Sequence, residues 1–236
     1  KLARAHGAPT IMDAVTSVPG TPVLVDEWQI DACYSGTQKC MSCVPGLPPE
    51  TFSKKAMDVI RGRNHKVHSW FMDMNLIMGY WGGGGQTRAY HHTAPVNALY
   101  ALHESLVMVQ EEGIENAWKR HAHMHQALKA GLEVLGLDPL VEEKYRLPQL
   151  NAVKIPDGVD EAQVRRRLLS EYGIEIGAGL GALAGKVWRI GLMGQSATPR
   201  HVTLVLAALE GVLTDMNVPL KGTNATQAAQ KVLLGA

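Results

Sequence analysis

The sequence has no surplus of either charge, no long apolar run and only three cysteines. Lysine and arginine total 23 against 22 acidic residues, for a formal net charge of +1. With no block of like charge, neither nucleic acid nor an anionic membrane surface is an expected partner. No stretch approaches the roughly 18 consecutive apolar residues of a membrane span. Lys1-Leu2-Ala3-Arg4 has none of the features of a secretory leader, and Leu233-Leu234-Gly235-Ala236 is not a peroxisomal address. The cytoplasm is therefore the expected compartment. Cys33, Cys40 and Cys43 are too few for a four-cysteine zinc site, and no paired Cys/His motif stands at metal spacing. They read as small core residues, and no metal is expected.

What is present is the make-up of a soluble globular chain: 236 residues, 46% hydrophobic and 19% charged. That length can bury a substantial core, as one large domain or two smaller ones.

The informative stretch is Ile30-Asp31-Ala32-Cys33-Tyr34-Ser35-Gly36-Thr37-Gln38-Lys39-Cys40. Residues 30–34 predict a buried strand, and Ser35-Gly36-Thr37 a turn after it. Lys39 then sits just past a strand end, where an amine of lowered pKa can attack an aldehyde cofactor. Against this stands the ordinary fate of a lysine, which is solvation. Upstream, Ala8-Pro9-Thr10-Ile11-Met12-Asp13-Ala14-Val15 predicts a second strand closing on Asp13. A carboxylate there needs a partner, and a protonated pyridine nitrogen is a suitable one. Downstream, Val187-Trp188-Arg189-Ile190-Gly191-Leu192 sets one arginine inside an apolar strand. Its guanidinium suits either a local ion pair or bidentate capture of a substrate carboxylate.

Met12-Asp13-Ala14-Val15-Thr16-Ser17, Tyr34-Ser35-Gly36-Thr37-Gln38-Lys39, Tyr90-His91-His92-Thr93 and Trp188-Arg189-Ile190-Gly191 occur in an order that resembles alanine–glyoxylate/serine–pyruvate aminotransferases. These are fold-type I, class V enzymes dependent on pyridoxal 5′-phosphate (PLP). The resemblance runs from Lys1 to about Leu213. It implies an α/β fold: the remainder of a PLP-binding large domain with a mostly parallel sheet over residues 1–112, then a small C-terminal α+β domain over 113–236. It implies Lys39 as the catalytic Schiff-base lysine. Asp13 would pair with the pyridine nitrogen, Val15 pack on one ring face, Gln38 neighbour the cofactor and Arg189 bind the substrate α-carboxylate. Tyr90 and Thr93 would reach the PLP phosphate of the other subunit in a homodimer, leaving His91 and His92 structural. The implied reaction moves an amino group from alanine or serine to glyoxylate or pyruvate, with small amino and 2-oxo acids as substrates. A serine–glyoxylate aminotransferase or another class V enzyme is the alternative. A desulfurase is disfavoured, because it needs a cysteine on a mobile loop and all three cysteines crowd the lysine segment.

Thr37 and Cys40 depart from the Ser and Ala that commonly flank the family's lysine. The chain starts without Met, and family members carry a further N-terminal region with the phosphate loop and the ring-stacking aromatic. The chain is therefore expected to be a C-terminal part. A second expectation, of another class, is an inactive fragment serving as a dimerisation or interaction module.

Local patterns complete the reading. A strand or extended segment is predicted over 40–47 and a helix over 51–61, opened by Pro48-Pro49-Glu50. Residues 63–85 look irregular, and Gly82-Gly83-Gly84-Gly85 lacks the context of a phosphate cradle and reads as a surface turn. Thr93 is a candidate cap for a helix with Pro95 in its first turn and Leu99, Leu102, Leu106 and Val109 on its buried stripe. Gly113 breaks it, and a second helix over 115–135 carries Ala117, His121, Met124, Leu128 and Leu132 on one side. His121 and His125 lie one turn apart but lack a third ligand, since His123 points away; they read as partly exposed helix residues. A strand over 150–155, an amphipathic helix over 160–172 with Arg165, Arg166 and Arg167 solvated, strands over 174–176 and 187–192, and a last helix over 199–216 capped by Thr198 follow. The tail from Asn217 shows no pattern.

Overall fold

The computed structural model describes residues 2–82 and 87–235. After a short helix, α1 (Leu2–Ala5), the strands β1 (Ile11–Asp13) and β2 (Ala32–Tyr34) pair in parallel, placing Asp13 beside Tyr34. β3 (Glu50–Phe52) joins the other edge of β2 antiparallel. Asp31 ties the three strands together. Its buried carboxylate accepts from Thr10 N (2.9 Å), the Thr10 hydroxyl (3.2 Å) and the Ser53 hydroxyl (3.1 Å). The backbone bond from Thr10 above all holds this carboxyl below its ordinary pKa.

The strands are shorter than the apolar runs around them. Ile30 lies outside β2, and the segment predicted as extended over 40–47 instead begins in a turn. The turn is closed by Thr37, whose hydroxyl donates to Val44 O (2.6 Å) and whose carbonyl accepts from Cys43 N (3.0 Å). Residues 50–52 are claimed by pairing with β2, so α2 (Lys54–Arg61) starts later than predicted, with the Ser53 hydroxyl accepting from Ala56 N at its start. The stretch expected to be irregular holds a 3₁₀ turn, Trp70–Met72, and a further helix, α3 (Met74–Tyr80), capped by Asp73. Gly83 to Gly85 of the glycine run lie outside the described residues.

α4 (Val96–Glu112) begins after Pro95 without a side-chain cap. Thr93 is instead hydrogen-bonded to the Tyr90 hydroxyl (2.8 Å). The stripe predicted to be buried on α4 is open: Leu99 is 44% and Leu106 49% exposed, and Ser105 is the one residue of the helix fully packed away. The periodicity is real, but nothing among the described residues covers that face.

α5 (Ile114–Leu135) follows Gly113 (φ +80°) and carries Ala117, His121, Met124, Leu128 and Leu132 on one side as predicted, all five of them buried. β4 (Leu150–Lys154), α6 (Glu161–Tyr172), β5 (Gly177–Ala178) and β6 (Val187–Gly191) then form an antiparallel sheet of order β4-β6-β5, with α6 between β4 and β5 in the chain. Residues 174–176, predicted as a strand, stay outside it; Ile176 is buried but has no strand partner among the described residues. Arg165 and Arg167 are half-buried in ion pairs with Glu161 and with Glu171 and Asp215, whereas Arg166 is solvated. α7 (Pro199–Asp215) is capped by Thr198 but is not the last helix. The tail read as patternless forms α8 (Ala225–Leu234), whose Ala225 and Ala229 are fully buried in the core with Leu128, Leu132, Leu206 and Leu209. Two small residues make a weak hydrophobic signal, yet they are what lets a helix seat closely on α5 and α7. Trp188 and Val153 bring the sheet into the same core.

Candidate active site

The parallel pair β1–β2 delivers its C-terminal ends side by side, the edge at which α/β sheets bind ligands. Ala14 N donates to Tyr34 O (2.8 Å) and the Ser35 hydroxyl to Ala14 O (3.0 Å), locking the two strand exits together. Asp13 Oδ1 accepts from Val15 N (2.9 Å) and Oδ2 from the Tyr34 hydroxyl (2.9 Å). The carboxylate is solvent-exposed, and no cation pairs with it among the described residues. Its hydrogen bond is the main cause raising the tyrosine pKa. A Cβ at Gly36 would stand 2.9 Å from Gln38 Oε1 and 3.0 Å from Val15 Cγ1, so Val15 and Gln38 flank this glycine closely. Lys39 is half-buried in the turn that follows, and its carbonyl accepts from Ser42 N (2.9 Å). Burial raises the pKa of Cys33 and Cys40, which disfavours the thiolate at both.

Arg189 lies on β6, opposite Ala152 and Gly177. Its Nε donates to Ala178 O (2.7 Å), and a Cβ at Gly177 would come within 3.2 Å of Nη2. No carboxylate pairs with this half-buried guanidinium among the described residues, so the local ion-pair reading has no partner. Asp13, Val15, Gln38 and Lys39 are thus brought to one sheet edge, while Arg189 stands on the second sheet. Tyr90 is 76% exposed, and its hydroxyl bonds Thr93 rather than any of these residues. His91 is stacked on Trp70 (3.9 Å between centroids) with Nε2 near Trp70 O (3.2 Å), a structural placement.

Two expectations about histidine are corrected. His121 and His125 are buried, not partly exposed, and each has its own partners. His121 Nδ1 donates to Ala117 O (2.7 Å) and Nε2 accepts from Gly194 N (2.9 Å); His125 Nδ1 is 2.7 Å from Asn151 Oδ1. Burial lowers both pKa values, so the neutral rings are favoured. Tyr34 was part of the motif but had no role in the sequence reading. Its register opposite Asp13 is the signal that pairing the two predicted strands in parallel would have given.

Residues 1–194 match the family described as aminotransferase class-V. The chain belongs to this family. Class V aminotransferases are PLP-dependent and have the type I fold of PLP enzymes. The chain is 39% identical to the (S)-ureidoglycine–glyoxylate transaminase of Bacillus subtilis, over 97% of its own length and 59% of the relative's. The crystal structure of the Bacillus subtilis ureidoglycine–glyoxylate aminotransferase superposes with a TM-score of 0.92 at 41% identity, covering 98% of this chain and 59% of that one. An alanine–glyoxylate aminotransferase from Nostoc sp. gives a TM-score of 0.86 at 48% identity, over 90% of this chain and 55% of that one. The chain therefore spans a little more than half the length of these class V relatives. No helix among the described residues is long and apolar enough to cross a membrane.

Proposed function

We propose that this chain is the part of a PLP-dependent aminotransferase that supplies the catalytic lysine, and that the enzyme transfers an amino group from alanine or serine to glyoxylate or pyruvate. The observation that carries this reading is Asp13: a carboxylate with no cation beside it among the described residues, oriented by Tyr34 and Val15, at the strand edge that also presents Lys39. The donor set fits the cofactor. Among the described residues Asp13 has no cation and Arg189 no carboxylate, which suits a protonated ring nitrogen and a substrate acid respectively. Glyoxylate is the favoured acceptor, because both relatives named above have it in their names.

When bound, PLP supplies an aldehyde carbon and an electron-withdrawing ring that acidifies the substrate Cα–H. Lys39 Nζ would hold that aldehyde in the resting enzyme and, once freed by the incoming amine, would serve as the base that takes the proton from the substrate Cα and delivers it to the former aldehyde carbon. Asp13 would accept a hydrogen bond from the ring nitrogen and keep it protonated. Val15 and Gln38, close on either side of Gly36, border the ring. Arg189 has its Nε committed to Ala178 O, which would leave its two terminal nitrogens for a substrate α-carboxylate.

Residues 1–112 belong in this reading to the large PLP-binding domain and 113–236 to the small one. The partner is a second copy. The open Leu99 and Leu106 face of α4 and the exposed Tyr90–Thr93 pair support a shared dimer interface, through which that pair reaches the other subunit's cofactor phosphate. The test is glyoxylate-dependent pyruvate formation from alanine by the whole protein with added PLP, run beside serine and ureidoglycine as donors. Turnover with alanine or serine supports the assignment; turnover with ureidoglycine alone reassigns the donor, and none with any donor overturns it.

A further inference from the structure

The Lys39 turn and the Arg189 strand lie on different sheets, yet one residue touches what holds both. Gly194 lies three residues past the end of β6, at φ +53°. A Cβ there would fall 2.0 Å from Ser42 Oγ and 2.6 Å from Cys40 O, so only glycine can seat against the turn. Ser42 Oγ also accepts from Gln195 N (2.8 Å). Adjacent residues of α5 hold the same glycine from the other side. His121 Nε2 accepts from Gly194 N (2.9 Å), and Arg120 Nη1 donates to Gly194 O (2.7 Å) and Ala197 O (3.1 Å). Arg120 is fixed in turn by a two-point ion pair with Glu112 at the end of α4. The turn is anchored on that helix as well, through the Ser105 hydroxyl, which donates to Met41 O. Buried peptide groups held by neutral and charge-assisted hydrogen bonds have little room to shift.

We propose that His121, Arg120 and Ser42 are positioning residues that hold Gly194 as a spacer between the Lys39 turn and the Arg189 strand, and so set where a substrate carboxylate lies relative to the lysine. The proposal rests on the aminotransferase reading above. None of the three touches substrate or cofactor in it; each acts through Gly194.

The experiment compares two small aminooxy probes on the PLP-loaded protein: aminooxyacetate, which carries a carboxylate, and methoxyamine, which does not. Both consume the near-visible band of bound PLP, and only the first uses Arg189. In His121→Leu, the rate advantage of aminooxyacetate over methoxyamine should fall by about fivefold or more, with the methoxyamine rate changed by no more than about twofold. His121→Gln, whose Oε1 can replace the Nε2 acceptor, should restore the advantage. Ser42→Ala, which removes only the acceptor for Gln195 N, should lower it in the same sense and carries the test if His121→Leu does not fold. An unchanged advantage in His121→Leu and Ser42→Ala, or both rates falling together, overturns the positioning role and leaves the aminotransferase reading intact. No PLP band in the unsubstituted protein overturns that reading, and this proposal with it.

Discussion

Asp13 and Tyr34 face each other across the parallel pairing of β1 and β2, and the tyrosine hydroxyl donates to Asp13 Oδ2 at 2.9 Å. The bond makes Tyr34 an orienting partner of the carboxylate proposed to receive the ring nitrogen. Tyr34→Phe should leave the far-UV spectrum unchanged and weaken PLP binding by about two- to fivefold, the range of one lost exposed hydrogen bond. A PLP titration followed in the near-visible checks it. The raised tyrosine pKa gives a second readout. A group whose folded pKa exceeds its unfolded value contributes fully below the unfolded value, ordinarily 10.0, and loses that contribution as pH rises through the folded one. Tyr34→Phe should therefore flatten the loss of stability above that pH.

Arg189 has one nitrogen bonded to Ala178 O and no carboxylate partner among the described residues. Arg189→Ala should lower kcat/KM for alanine by about a hundredfold, and Arg189→Lys by about tenfold, since a lysine keeps the charge but not the planar fork. Steady-state kinetics with varied alanine measure both.

Burial depresses the pKa values of His121 and His125 below the ordinary 6.5. In the window below 6.5 the unfolded chain takes up protons that the folded chain refuses, so stability present above that pH is lost as pH falls through the window. Tm should fall on acidification from pH 7 to 5. His125→Asn, whose amide can replace the Nδ1 donor to Asn151, should reduce the slope of Tm against pH over that range, as thermal melts in matched buffers would show.

The apolar face of α4 is assigned to a second copy. Leu106→Glu should shift the protein from dimer to monomer in sedimentation velocity and lower activity in proportion. If that face were merely solvated, the substitution would leave both unchanged, because an exposed leucine contributes little to a monomer's core.

How much of this was legible in the sequence depends on whether a feature is local. The 3.6-residue periodicity of α5 and the Thr198 cap of α7 are short-range patterns, and they fold as they read. The family was legible for the same reason, through compact motifs around Asp13, Lys39 and Arg189. What failed was set by partners far along the chain. Glu50–Phe52 became a strand because β2 offered an edge, and α8 formed because two alanines fit against α5 and α7. The α4 stripe reads as core by periodicity but stays open, since periodicity does not say whether the covering surface lies in the same chain. His121 could not be assigned from sequence, because its partner Gly194 is on a loop with no motif of its own.

The most direct measurement is borohydride reduction of the PLP-loaded protein, followed by peptide mapping of the labelled residue. Loss of the near-visible band with the pyridoxyl label on Lys39, and no label in Lys39→Ala, is the expected result. A reducible label on any other lysine, with Lys39 unmodified, would contradict the assignment of Lys39.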